Sequence, residues 1–352
     1  MRKIIKRTGI IVGSLILAVI IVAVALFWNE LGSLASIKRV DNYGMFQMTY
    51  YGEYGFDDFL KTGAKSDSDI EAFVEKRLLK GIPIHFNVTG GGCTAFVTHN
   101  SSGDVIFGRN FDFTYAPTMQ LITRPKNGYI SISTVNLSFA GYSENNLPSG
   151  LNFKSFLALA GPYLPFDGMN EKGVAIALLA VPQADPPSDK NKVTLNTTTS
   201  IRLVLDKAAT VHEAIDLLSQ YNIYFSGGIT CHFLIGDASG QTVLVEYYDG
   251  KLKTVTSAEP YQIASNFIAY NGVNIGEGFD EFDRYDEVKA AIDGNGGTLD
   301  ENQAVTLLAK VGVINNGVDK LQWSVVYNLS ALKGTIFVHR NTSNLIDFQL
   351  SP

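Results

Sequence analysis

Between Thr8 and Trp28 the sequence TGIIVGSLILAVIIVAVALFW runs for 21 residues without a charge. As a helix it would span roughly 30 Å, the thickness of a bilayer's hydrocarbon core. Arg2, Lys3, Lys6 and Arg7 precede it. A basic flank stays on the cytoplasmic side, and Trp28 suits the far interface. The chain is therefore expected to divide into a cytoplasmic flank (1–7), a single-pass membrane anchor (8–28) and an extracytoplasmic remainder. A cleaved signal peptide is the competing reading, with Ser33-Leu34-Ala35 as a small-x-small site and a secreted product. The anchor is favoured because the run exceeds the roughly 7 to 15 apolar residues of a signal h-region.

The rest of the 352 residues reads as folded protein: 46% are hydrophobic and 18% charged, enough for one large core or two modest ones. A formal charge of −6, with basic residues scattered beyond position 40, offers no footprint for phosphate backbones, which argues against a nucleic-acid partner. Cys93 and Cys231 are the only cysteines, so a disulfide framework is excluded, and no Cys/His spacing suits zinc. No metal or other cofactor is expected, and a homo-oligomer is compatible with the sequence.

Residues 29–92 read as a separate preface. It contains a helix in DIEAFVEKRLL (Asp69–Leu79), whose apolar residues recur at i, i+3 and i+4 after the capping stretch KSDSD. From Cys93 the pattern turns strand-like. CTAFVTHN and VIFGRNFDF, joined by Ser-Ser-Gly-Asp, form a hairpin signal, as do CHFLIGD with TVLVEYY and QWSVVYNLS with GTIFVHR. YISISTV and GVAIALLAV are further strand candidates. Helices are expected in TSIRLVLDKAA, TVHEAIDLLSQY, DRYDEVKAAID and DENQAVTLLAKV. Hairpins interleaved with helix pairs argue for an α+β layered sandwich.

Three glycines, Gly90 to Gly92, deliver the chain to Cys93. Either they form a flexible linker, or the backbone at that thiol needs geometries that other residues resist. In the hairpin that follows, Arg109, Asn110 and Asp112 come 16, 17 and 19 residues after Cys93. Two antiparallel strands bring the far end of the second beside the start of the first, so Arg109 and Asp112 fall near the thiol. A guanidinium there favours the thiolate, the nucleophilic form. The alternative is that both are solvated charges at a hairpin end.

GCTAFVTHNSSGDVIFGRNFDF resembles the opening of the mature chain in the choloylglycine hydrolase family, which includes bile salt hydrolases, penicillin V acylases and linear-amide hydrolase relatives. More distantly it is similar to acid ceramidase and N-acylethanolamine acid amidase. The resemblance extends through GMNEKGVAIA (Gly168–Ala177), CHFLIGDASGQTVLVE (Cys231–Glu246), ASNF (Ala264–Phe267), FDRYDEV (Phe282–Val288) and QWSVVYNL (Gln322–Leu329). It covers the chain from about Cys93 to Arg340. It implies an N-terminal nucleophile hydrolase, a four-layer αββα sandwich in residues 93–352, with residues 29–92 as a pro-segment separated from it by self-cleavage between Gly92 and Cys93, as in the ceramidase-like relatives. Carried over, Cys93 is the nucleophile and Asp112 the partner of its α-amine. Arg109 positions and acidifies the thiol, Asn266 is the oxyanion asparagine and Arg284 the second active-site arginine. Bile salt hydrolases carry another asparagine ten residues after that of MNEKG; here the count from Asn170 lands on Ala180. The implied substrate is an N-acyl small-molecule amide. Two rivals are a papain-like hydrolase using a remote histidine without processing, and an anchored binding protein on the same fold.

Other residues draw plainer readings. Cys231 and His232 are strand neighbours facing opposite ways, so no dyad is expected and Cys231 reads as a packed apolar residue. His85, His99, His212 and His339 show no metal spacing. The six Asn-x-Ser/Thr sequons between Asn87 and Asn341 are attributed to chance. EGFDEFD reads as a solvated acidic loop rather than a calcium site. Tyr50, Tyr51, Tyr54 and Phe56 are expected to anchor the preface to the main domain or to cover the cleft. Phe156, Leu157, Tyr163 and Leu164 are candidates for an acyl pocket or for ordinary core.

Overall fold

The structure is a computed structural model. It describes residues 12–351 apart from 13, 16, 19, 20, 23, 26, 89, 270–281 and 315–319. Residues 1–7 and most of EGFDEFD lie outside the described residues.

The fully buried strand VIFGRNFDF explains the architecture. An antiparallel strand without an exposed residue must be covered on both faces, and this one, β4 (Val105–Phe113), is buried throughout. It lies in a six-stranded sheet, in the order β14 (Gln262–Ala264), β3 (Gly92–His99), β4, β15 (Lys320–Asn328), β16 (Lys333–Val338) and β17 (Ile346–Gln349). One face of that sheet stacks on a nine-stranded sheet. The larger sheet runs β1 (Lys38–Arg39), β2 (Met45–Tyr50), β5 (Thr118–Thr123), β6 (Ser131–Asn136), β7 (Pro165–Asn170), β8 (Ala175–Ala180), β11 (Cys231–Gly236), β12 (Thr242–Tyr248) and β13 (Lys251–Val255). Strands β9 (Thr194–Asn196) and β10 (Asn222–Tyr224) form a small parallel pair.

Helices close both outer faces. Those called here α4 (Thr197–Lys207) and α5 (Val211–Ser219) pack on the nine-stranded sheet, and α6 (Phe282–Gly294) and α7 (Glu301–Val311) on the six-stranded one. The result is the expected αββα order. One apolar core fills the space around the large sheet, and a second, with Phe96, Ile106, Val288 and Leu308, lies under α6 and α7. The hairpin turn between β3 and β4 places Gly103 at φ 90°, a conformation that suits glycine.

Residues 29–92 are not a separate unit. After α1 (Trp28–Ala35), β1 and β2 extend the large sheet, and β2 runs parallel to β5 with Met45 opposite Thr118. Met45, Phe46, Met48 and Tyr50 are buried, each contributing about 1.5–3 kcal/mol of apolar burial. Helices α2 (Phe56–Thr62) and α3 (Asp67–Arg77) follow. The second begins at an N-cap, Ser66, whose side chain accepts from the Asp69 N–H. Phe59 meets Phe73 and Tyr163 edge-on at ring distances of 5.1 and 5.4 Å. Of the aromatic set, Tyr50, Tyr54 and Phe56 are buried anchors and Tyr51 is exposed. A strand-forming segment, MFQMTY, was thus hidden inside the preface.

Among the described residues no helix is long and apolar enough to cross a membrane. The run from Thr8 to Trp28 is described only in part; its described residues from Val12 to Ala25 are helical and exposed.

Candidate active site

Strand parity sorts the site. Cys93 pairs with Phe111 and Gly92 with Asp112 across the β3–β4 hairpin. Residues directly opposite point the same way, so Cys93 shares the inter-sheet side with Phe111 and Arg109, while Asp112 projects from the other side, toward the helices. Arg109 and Asp112 therefore flank Cys93 from opposite faces. Both are fully buried, so the solvated-charge reading fails.

On the inter-sheet side, Arg109 Nη2 donates to Cys93 Sγ at 3.3 Å and to the Leu178 carbonyl at 3.2 Å, and Nη1 donates to Asp167 Oδ2 at 2.6 Å. The same carboxylate accepts from Trp323 Nε1 at 3.0 Å and from the Tyr327 hydroxyl at 2.7 Å. The guanidinium also lies 4.9 and 5.2 Å from the Phe111 and Trp323 ring centres. Asp167 precedes the matched GMNEKG stretch by a single residue, so reading that motif one residue further upstream would have exposed it. Burial pushes the Cys93 thiol up, and Arg109 pulls it down only in part. The expected acidification is present as a local effect, but in the uncut chain desolvation outweighs it.

On the helix side, Arg284 from α6 donates to Asp112 Oδ2 at 2.5 Å and to the Cys93 carbonyl at 3.1 Å. Asp112 Oδ1 accepts the Val313 N–H at 3.0 Å. The Cys93 N–H donates to Asn266 Oδ1 at 2.6 Å, so Asn266, rather than Asp112, holds the Cys93 backbone nitrogen. Asn266 Nδ2 donates to the Ala180 carbonyl at 2.7 Å, and Arg284 Nη2 lies 3.4 Å from Asn266 Oδ1. The five residues carried over from the family thus converge on one place, through four different strands, loops and helices.

Neither Gly91 nor Gly92 has a positive φ. Only Gly91 is sterically fixed: a Cβ there would meet the Asp112 carbonyl oxygen at 2.5 Å. At Gly92 the nearest atoms, on Arg284, Asp112 and Asn266, stand 3.5 to 3.7 Å away, which is ordinary contact distance.

An apolar cavity of about 40 Å³ adjoins the sulfur, with Phe111, Phe139, Phe166, Leu178 and Ile229 among its walls and Val88 and Gly91, from the chain before Cys93, completing them. Cys231 borders it too, with its thiol pushed up to about 12 by burial. Its neighbour His232 faces away and meets Glu246, as strand alternation requires. Tyr163 and Leu164 belong to the core, Phe156 and Leu157 pack half-buried against it, and none of the four lines this cavity. Among the described residues, no histidine bonds Cys93 or lines its cavity, and no cluster suits a metal.

The sequence profile of the linear amide C–N hydrolases, choloylglycine hydrolase family, matches residues 93–275 of the 352. A penicillin V acylase of Pectobacterium atrosepticum is 32% identical over 111 residues, which is 28% of this chain and 29% of that protein's length. Two crystal structures of a conjugated bile acid hydrolase from Clostridium perfringens superpose with TM-scores of 0.53 and 0.54 at 17% identity, covering 73% of this chain and 92% of theirs. At that identity the likeness establishes the fold. With a profile that begins at Cys93 and spans more than half the sequence, this chain belongs to the choloylglycine hydrolase family of linear amide C–N hydrolases.

Proposed function

We propose that the protein hydrolyses a linear, non-peptide carbon–nitrogen bond in an N-acyl small molecule, with Cys93 as nucleophile after self-cleavage between Gly92 and Cys93. The observation that carries this is the 2.6 Å bond from the Cys93 N–H to Asn266 Oδ1, made while Arg109 Nη2 stands 3.3 Å from the same residue's sulfur. The atom that must become an amine and the atom that must become a thiolate each have their own polar partner.

In processing, Sγ adds to the Gly92 carbonyl carbon, and its proton passes to the Cys93 nitrogen. The carbon–nitrogen bond to Cys93 breaks, leaving a thioester and a free α-amine. Water then hydrolyses the thioester to the Gly92 carboxylate and restores the thiol. An α-amine titrates near pH 8, within reach of a general base at neutral pH. It takes the thiol proton as Sγ attacks the substrate carbonyl, and returns it to the leaving nitrogen. Water completes the cycle by the reverse roles. Asn266 has two amide hydrogens; one is committed to the Ala180 carbonyl, and the other serves the oxyanion. With alanine at position 180, a backbone N–H supplies the second donor. Asp112, held by Arg284, balances the charge of the protonated amine.

The substrate's acyl group is apolar, which the phenylalanines around Cys93 support. Val88 and Gly91 form part of the same wall, so the site widens once the strand before Cys93 is cut. The names of the relatives, a penicillin V acylase and a conjugated bile acid hydrolase, suggest where to begin a search. Residues 8–28 anchor the enzyme by a single span with residues 29–92 and 93–352 outside the cytoplasm. The four basic residues before the run and the exposure of Leu15, Leu17, Ile21 and Val22 support that placement.

Intact mass and N-terminal sequencing test the processing, and a panel of N-acyl amino acids, bile salt conjugates, penicillin V and N-acylethanolamines tests the chemistry. The expected result is a chain beginning at Cys93 that turns over at least one member. A single uncut chain that still hydrolyses amides refutes the processing step.

A further inference from the structure

The loop that carries Asn266 bridges the two sheets, and a buried carboxylate fastens it three residues beyond Asn266. Strand β14 ends at Ala264, paired with Ala95 of the six-stranded sheet. Ser265 Oγ then donates to the Cys93 carbonyl at 3.3 Å, and Asn266 accepts the Cys93 N–H. Three residues later the Ala269 N–H donates to Glu246 Oε1 at 2.8 Å. Glu246 lies on β12 of the other sheet, and the same oxygen stands 2.9 Å from His232 Nδ1 on β11. Each of these two side chains belongs to a residue only 1% exposed.

Packing does not explain the pair. A buried carboxylate beside an imidazole is costly unless its polar atoms are matched. The adjoining positions of the same two strands, Phe233 opposite Val245 and Leu234 opposite Leu244, fill comparable space with apolar groups. His232 Nε2 is buried without a hydrogen-bond partner, so the pair is not a self-contained polar network either. His232 borders a cavity together with Ser265, Phe267 and Ile268, which is the back of the Asn266 loop.

We propose that Glu246 and His232 are positioning residues that hold Asn266 at its working height between the sheets. The inference rests on the reading of Asn266 as the oxyanion donor. Neither side chain touches the reacting atoms. Glu246 takes the N–H at the loop's end, and His232 Nδ1–H, donating to the carboxylate, fixes its orientation. Without them Asn266 keeps its bonds to Ala180 and Cys93 but loses the hold at Ala269 that sets its loop against the larger sheet, and a displacement of about 1 Å costs on the order of 100-fold in rate.

The test is a double-mutant cycle on self-cleavage at Gly92–Cys93, followed by intact mass after cell-free synthesis of the full chain. Glu246→Gln keeps an acceptor for the Ala269 N–H, and is expected to cut within about threefold of the wild-type rate, whereas Glu246→Leu should be slower by about 30-fold. In an Asn266→Ala background, Glu246→Leu should add less than about twofold, because the group it positions is gone. A general loss of folding would instead multiply the two defects. Glu246→Leu cutting at the wild-type rate, or losses that multiply in the double variant, overturns the positioning role alone. Full activity in Asn266→Ala, or a wild-type chain that stays uncut, overturns the parent reading and this inference with it.

Discussion

Arg109 donates to Asp167 at 2.6 Å and to the Cys93 sulfur at 3.3 Å, so one guanidinium ties the thiol of one sheet to a carboxylate of the other. Asp167 is in turn held by Trp323 and Tyr327, leaving the guanidinium little freedom. Removing one partner of a buried ion pair strands the other. Asp167→Asn is expected to lower stability by about 3 kcal/mol, and to reduce kcat by about 100-fold through misplacement of Arg109. Trp323→Phe, which removes one of the three donors to Asp167, should cost about 1 kcal/mol. Denaturant unfolding and steady-state kinetics on the processed enzyme read both. Wild-type kcat in Asp167→Asn would show that Arg109 holds its place unaided.

The glycines before the thiol are not equivalent. A Cβ at Gly91 would press on the Asp112 carbonyl oxygen at 2.5 Å, a backbone atom that moves only with its strand, whereas Gly92 has room for one. Gly91→Ala is expected to slow self-cleavage by about tenfold or more, since strain of 1–3 kcal/mol at a reacting backbone is felt directly in the rate. Gly92→Ala should cut within about threefold of wild type. Time-resolved intact mass measures both. The reverse order would mean that access to the Gly92 carbonyl, rather than the fit of the preceding strand, is what glycine provides here.

Periodicity made most of the strands and helices around the site legible, because buried hairpins such as β3–β4 and β11–β12 alternate strongly and end in turn residues. It missed β2, β5 and β7 inside the large sheet, the edge strands β1, β13, β14 and β17, and the short pair β9 and β10. MFQMTY and TMQLIT mix polar and apolar residues on strands that are covered from both sides, so neither shows a clean period. The merging of residues 38–50 into the large sheet depends on a parallel, long-range pairing that no local pattern announces. Hairpin spacing put Arg109 and Asp112 near Cys93, and the family resemblance alone added Asn266 and Arg284. Neither told which face each occupies, nor that Asn266 takes the Cys93 N–H, because both follow from register and from the meeting of two sheets.

The raised Cys93 thiol carries its own prediction. Burial favours the neutral form, so in the uncut chain little thiolate exists near neutral pH, and its share should rise with pH only beyond the ordinary thiol range. On the processing proposed above, a cut before Cys93 would open the wall at Gly91 and supply an amine to take the proton. Iodoacetamide at pH 7.5 should therefore label the cut species at least about tenfold faster than the uncut species in the same sample, the thiolate being the reacting form. Cys231, held up to about 12, should stay unlabelled in both. Mass spectrometry distinguishes the species, and equal rates for the two would remove the link between burial and latency.

Asp206 joins the segment before Cys93 to the body of the enzyme, and its titration gives the attachment a pH dependence. Its Oδ2 accepts from the Tyr54 hydroxyl at 2.7 Å, and Oδ1 lies 3.3 Å from Arg202 Nη1. Burial raises its pKa from 3.8 to about 6, with Arg202 and Tyr54 opposing the shift. Between these values the folded chain binds a proton that the unfolded chain has released, so stability falls as pH rises. The contribution is complete below about pH 4 and is lost as pH passes through 6, at about 1.4 kcal/mol per unit, or as much as about 3 kcal/mol in all. Asp206→Asn keeps the shape without the titration. The stability of wild type relative to this variant should therefore be greatest at pH 4 and decline to a plateau above about pH 6.5. After cleavage, the N-terminal piece should co-elute with the remainder on size exclusion more persistently at pH 5 than at pH 7.5. A difference curve that is flat between pH 4 and 6.5, or one that rises, would assign the pH response to other carboxylates.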